Sequence, residues 1–244
     1  MSIWLVPLAL LLATPPAVRV TTATTTIRGV VLILNDPSGQ PERAVVLLAD
    51  PLTVGSDRVW LLSVAGKVKR MERWSGRFVE ATGTIAGTPP DSVSFTPAGL
   101  KETEPDGAVQ REVDLSLSQH AVVTLAVVPR HFDVPPNGRG NRISPVVLYK
   151  IANHGQSELD FMFASNEFVC VGLLRPGDTS PRWRDTWKVS QPSPRLTIRI
   201  GSVFRAVVPI PAQELAWADH YTVQASLCGV AEYAVTAPLE ITVR

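Results

Sequence analysis

The chain has 244 residues, of which 45% are apolar and 18% charged, with 21 prolines and a formal net charge of +1. That length suits two modest domains better than one, and a Val- and Thr-rich, proline-rich, charge-poor composition points to an all-β protein. A balance so near neutrality excludes a polyelectrolyte partner selected by overall charge, whether nucleic acid or an anionic membrane surface.

Ile3 to Ala13 reads IWLVPLALLLA, with no charge before Arg19. Its length fits the apolar stretch of an export signal, whereas a comfortable membrane span needs about 20 apolar residues. Pro7, Pro15 and Pro16 make it a poor interior helix or strand. Residues 1–23 are therefore read as a signal peptide, cut after Ala17 or Ala23, and the protein as exported to the periplasm, cell surface or medium. No stable membrane span is expected unless that segment is retained.

Alternation begins after the threonines. Ile27 to Leu34 is aliphatic and β-branched, and it breaks at Asn35-Asp36-Pro37-Ser38-Gly39, a turn by composition. Ala44 to Leu48 is a second strand closed by Asp50-Pro51, and Arg58 to Leu62 is a third. Val64, Val68 and Met71 share one face of a short helix. Gly76 to Gly87 alternates as a long strand whose interior glycines imply sharp coiling, as in a small closed barrel. Asp91 to Thr96 is the last strand of this half. With Trp60-Leu61-Leu62 leading through a helix to Gly76, Val79 and Gly83, roughly residues 25 to 98 resemble the OB-fold in its exported bacterial variants, which implies an OB-like barrel with one short helix over residues 24–99.

The polar stretch 100–112 (LKETEPDGAVQRE) reads as a linker. From Val113 the period of two returns, through Val113, Leu115 and Leu117, Val122 to Val128, Val146 to Asn153, Leu159 to Phe163, Leu196 to Ile200, Val203 to Val208, Tyr221 to Leu227 and Leu239 to Val243. About seven short strands between turn signals make residues 113–244 an immunoglobulin-like β-sandwich. Ile151-Ala152-Asn153-His154-Gly155, followed by Leu159, Phe161, Phe163, Ser165 and Phe168, resembles the bacterial intracellular proteinase inhibitor domain. Pro176-Gly177, Trp183, Trp187 and Tyr221-x-Val223-x-Ala225 extend the likeness, while Asp219-His220-Tyr221 lacks the family's glycine. The resemblance implies the sandwich and, through the family name, inhibition of serine proteases.

Cys170 and Cys228 are a disulfide pair in an oxidising compartment or two separate thiols. Neither has the spacing of a structural zinc site. Of the histidines His120, His131, His154 and His220, only His131-Phe132-Asp133 offers two ligand types on one strand face, and no metal site, catalytic set or cofactor is assigned. Lys67, Lys69, Arg70, Arg73 and Arg77 beside Trp74 have the composition of a strand-binding surface, but Asp57, Glu72 and Glu80 dilute the charge, and a solvated helix face is the preferred reading. Arg182, Trp183, Arg184 and Trp187 form a loop-like, partner-binding segment, since Trp and Arg dominate interface energetics; the competing reading packs the indoles on the core. The expected function is that of an exported, non-catalytic accessory protein engaging a protein partner through β-domain loops. A protease inhibitor acting through the sandwich comes second and a small exported hydrolase third.

Overall fold

The structure, a computed structural model, describes residues 24–54, 57–87, 93–134, 144–189, 194–215 and 220–243. The segment read as an export signal, residues 135–143 and Asp219 lie outside the described residues. The protein is all-β, as its composition predicts, and the first half is a closed barrel. Its strands are β1 (Thr24–Asn35), β2 (Pro41–Val54), β3 (Asp57–Val64), β4 (Phe78–Ala86) and β5 (Ser94–Glu102). They follow the order β1-β2-β3-β5-β4 and close by antiparallel pairing of β4 with β1, while β3 and β5 run parallel. Coiling this tight depends on Gly83. The β4–β5 register shifts there, and an added Cβ would stand 2.2 Å from the Thr96 carbonyl oxygen. The Asp50-Pro51 break expected to end β2 is an irregularity within it, between Leu47 and Leu52. Proline is tolerated where the ladder is already interrupted.

Between β3 and β4, α1 (Val68–Met71) runs into a 3-10 turn, Glu72–Trp74. Met71 is buried in the barrel core with Val31, Leu62 and Phe95. The basic side chains divide: Arg73 and Arg77 lie over the Trp74 ring at 5.6 and 5.8 Å, whereas Lys67, Lys69 and Arg70 are exposed.

The second half faces two sheets across one core. Strands β6 (Val109–Ser116), β7 (Gln119–Val128), β9 (Val146–Asn153) and β14 (Val203–Pro209) form a four-stranded sheet in the order β14-β9-β7-β6. The five-stranded sheet, β12-β11-β15-β16-β8, comprises β8 (His131–Val134), β11 (Glu167–Leu174), β12 (Trp183–Lys188), β15 (His220–Leu227) and β16 (Val230–Val243). A ribbon of β10 (Leu159–Met162) and β13 (Arg195–Ile198) adds Leu159 and Ile198 to the core shared by Leu125, Tyr149, Val169 and Val223.

The polar segment expected to be a linker is mostly strand, because β5 continues to Glu102 and β6 begins at Val109. Only six residues, 103–108, connect them, and charges on this connection and on the end of β5 fasten the two halves. Glu102 accepts from Arg77 of the barrel at 2.5 Å and from Arg205 of β14 at 2.7 Å. Glu104 pairs with Lys150 of β9, and Asp106 takes a two-pronged contact from Arg28 of β1 at 2.6 and 3.1 Å. Beneath them runs an apolar seam: Val30, Leu47 and Phe78 of the barrel are buried with Ala126, Val128, Val146 and Leu148 of the four-stranded sheet. Half-exposed ion pairs contribute little to stability, so the seam supplies most of the adhesion and the charges fix its orientation.

Candidate functional site

Arg182, Trp183, Arg184 and Trp187 lie on or just before β12, an edge strand rather than a loop. Its antiparallel register sets Trp183 opposite Leu173 and Trp187 opposite Val169, so both indoles share the inward side of buried core residues. Trp187 meets Phe204 edge-on at 5.5 Å and lies 6.4 Å from Phe168. The Arg182 Nε donates to Asp178 at 2.9 Å, and Arg184 is exposed. The two indoles are therefore half-buried anchors of the edge strand, and the arginines are the parts that solvent reaches.

Cys170 and Cys228 form a disulfide with a Cα–Cα distance of 5.1 Å. Cys170 is on β11 and Cys228 is in the turn between β15 and β16, where its backbone N–H donates to the Phe168 carbonyl at 3.1 Å. Strand pairing thus brings the thiols together, and the bond suits an oxidising compartment.

The other concentration of unusual side chains is at the end of the four-stranded sheet away from the barrel seam. Three turns meet there: β6 to β7, β9 to β10 and β13 to β14. Asn153, 1% exposed, joins two of them. Its Nδ2 donates to the carbonyls of Ser157 and Ile198, both at 2.9 Å, and its Oδ1 accepts from the Gly155 N–H at 3.0 Å. Its own backbone bonds Ser202 and Gly201. The third turn is braced by the Ser118 carbonyl, which accepts from the N–H groups of Gln156 and Ser157 at 2.7 and 3.1 Å. A Cβ at residue 155 would lie 2.5 Å from that oxygen, so only glycine permits the approach. The Asn-His-Gly run recognised in the sequence is therefore the brace of this loop end.

On these braced turns stand Leu117 and Ile200, with Leu115 and Val203 on the adjoining ends of β6 and β14. They are four of the five large hydrophobic side chains exposed among the described residues, and Leu117 is exposed as completely as in an extended chain. Sequence periodicity assigned Leu115, Leu117 and Ile200 to buried strand faces. The β6–β7 register shifts between Asp114 and Ser116, which turns Leu115 outward, and β13 ends at Ile198, which leaves Ile200 in a turn. The available signals were Leu117 between two serines and Gly201 directly after Ile200. Beside them, between β13 and β14, is a groove of about 250 Å³ lined by Leu196, Val203, Phe204 and Arg199 among others.

A further cleft of about 260 Å³ opens along the seam between Phe78, Val128, Asp50, Asp106, Arg130 and His131. Asp106 is held by Arg28, and the His131 Nδ1 lies 3.0 Å from the Glu240 carboxylate. At the loop end the His120 Nδ1 lies 2.6 Å from Asp114. Among the described residues no three His, Cys, Asp or Glu side chains are placed to hold a metal ion, and no helix is long and apolar enough to cross a membrane. Comparison with known proteins finds no matching family model, no matching curated protein and no matching solved structure.

Proposed function

We propose that this chain is an exported, non-catalytic accessory protein that engages a protein partner through the loop end of its second half. The carrying observation is the set of apolar side chains, Leu115, Leu117, Ile200 and Val203, held in solvent on the turns and adjoining strand ends that Asn153 and Ser118 brace. Exposing apolar surface is unfavourable unless something covers it, and rigid turns lose little entropy when a partner does so. The disulfide supports export. The barrel order β1-β2-β3-β5-β4, with a helix between β3 and β4, supports an OB-like barrel, and the two facing sheets support an immunoglobulin-like sandwich. OB barrels bind ligands chiefly on the face of strands 2 and 3. Here Leu47 of β2 is buried in the seam and Leu61 of β3 packs against it, which turns that face into a support for the loop end.

The test is capture from native periplasmic or extracellular extract by the full chain, a Leu117→Asp, Ile200→Asp variant and a Trp183→Ala, Trp187→Ala variant. Loss of the partner with the first variant is expected, by roughly 30-fold or more for a hot-spot pair. Equal capture by the wild type and that variant refutes loop-end docking, and loss confined to the tryptophan variant moves the surface to β12.

The second reading, a protease inhibitor, draws on one feature: Leu117 projects wholly exposed from a hairpin tip fixed from behind, a shape that suits an open protease cleft. It requires stoichiometric loss of serine-protease activity that Leu117→Asp abolishes.

A further inference from the structure

Resting on the loop-end reading, we infer that the partner presents an extended segment carrying an apolar side chain next to a carboxylate. The apolar group enters the groove between β13 and β14, and the carboxylate meets Arg199. The groove is apolar on its walls, at Leu196, Val203 and Phe204, and polar at Thr197, Arg199 and Ser202. Its neighbouring cation is already neutralised. Arg195 makes two contacts with Asp160, at 2.8 and 2.5 Å, and Thr197 Oγ1 donates to the same carboxylate at 3.0 Å. On the β6–β7 side, Asp114 is engaged by His120. Arg199 is exposed and makes no side-chain hydrogen bond or ion pair among the described residues, and Glu158, one step beyond the Leu159–Ile198 pair, is the acid across from it, so the Arg199 guanidinium is left to meet a carboxylate from outside. A guanidinium beside an apolar slot selects a carboxylate flanked by a hydrophobic group.

The spacing favours an extended segment. In the order β14-β9-β7-β6, the groove flanks β14 and Leu117 caps the β6–β7 turn, two to three strand spacings away. At about 4.8 Å per spacing this is about 10–14 Å, the reach of roughly three to four extended residues. One such segment can lie from the groove, past Ile200, to Leu117.

A random dodecapeptide phage library panned on the immobilised full chain tests this, with Arg199→Glu and Leu117→Asp chains panned in parallel. Arg199 and Leu117 are exposed, and an unchanged thermal midpoint confirms that each variant folds. Enrichment of peptides with Asp or Glu within two positions of a large apolar residue is expected. A synthetic peptide of that sequence should bind Arg199→Ala about tenfold more weakly, as for loss of a charge-assisted hydrogen bond, and binding should fall with salt. Absence of enrichment, enrichment without acidic residues, or equal binding to Arg199→Glu overturns the inference. Native partner capture that survives Arg199→Glu but fails with Leu117→Asp overturns it while leaving loop-end docking intact. Self-association of the chain that is abolished by Leu117→Asp also overturns it, assigning the surface to a second copy.

Discussion

Replacing Asn153 with Ala removes the brace beneath the loop end, and the structure sets the scale of the effect. Two donated bonds and one accepted bond are lost at a residue only 1% exposed, and the Ile198 carbonyl is left buried without that donor. At about 1 kcal/mol net per bond, with a further 1 kcal/mol or so for the stranded acceptor, the expected loss is about 3–4 kcal/mol. A protein stabilised by about 5–15 kcal/mol remains folded after such a loss. Urea unfolding followed by tryptophan fluorescence reads it as a lower midpoint at unchanged slope. Asn153→Asp is the informative companion. It keeps the acceptor and loses the donors, so an ionised carboxylate would face two carbonyl oxygens. Its folded-state pKa is raised, its destabilisation is therefore larger at neutral pH, and stability recovers relative to the wild type as pH falls. A loss below about 1 kcal/mol for Asn153→Ala, or no pH dependence for Asn153→Asp, would refute the hub reading.

Phe78→Ala opens the seam at its largest side chain and should cost about 3–4 kcal/mol, with faster proteolysis in the connection 103–108; an unchanged cleavage rate would contradict the seam. For Glu102, burial opposes ionisation, but the hydrogen bonds from Arg205 and Arg77 outweigh it and hold the carboxyl below its usual 4.5. Its stabilisation is complete above that pH and is lost as pH falls through the lower folded value. Discounted for solvent, it is worth under about 1 kcal/mol, and Glu102→Gln should flatten the acid limb of a stability–pH curve by that amount. Replacing Cys170 and Cys228 together with Ser should cost up to about 4 kcal/mol by loop-closure entropy. The urea midpoints of the disulfide-bonded chain and the double variant measure this.

Much of the barrel was legible because its signals are local. Strand alternation, the helix face of Val68 and Met71, and glycine within a strand each depend on near neighbours. The second half was legible as alternating strands, but β12 was obscured: the exposed Asp185 stands between its two half-buried indoles and its neighbours are cationic, so no period of two is visible in its sequence. The connection was misread for a different reason. Glu102, Glu104 and Asp106 have a linker's composition, and only the fold shows that Arg77, Arg205, Lys150 and Arg28 converge on them from both sides. The loop-end surface was hidden by the same alternation that revealed the strands. A register shift of one residue reverses which face a side chain occupies, and nothing adjacent to Leu115 in sequence announces that shift.

The short acidic connection has a mechanical consequence. Alternate residues grip opposite halves, Glu104 the sheets, Asp106 the barrel and Glu102 both, so the segment behaves as a stay rather than a tether. A load applied at Leu117 is carried into the barrel through packed side chains and is not taken up by an extensible string. The molecule thus transmits an angle as well as a position. Lengthening residues 103–108 with a flexible insert would loosen that angle while the apolar seam still held the halves together.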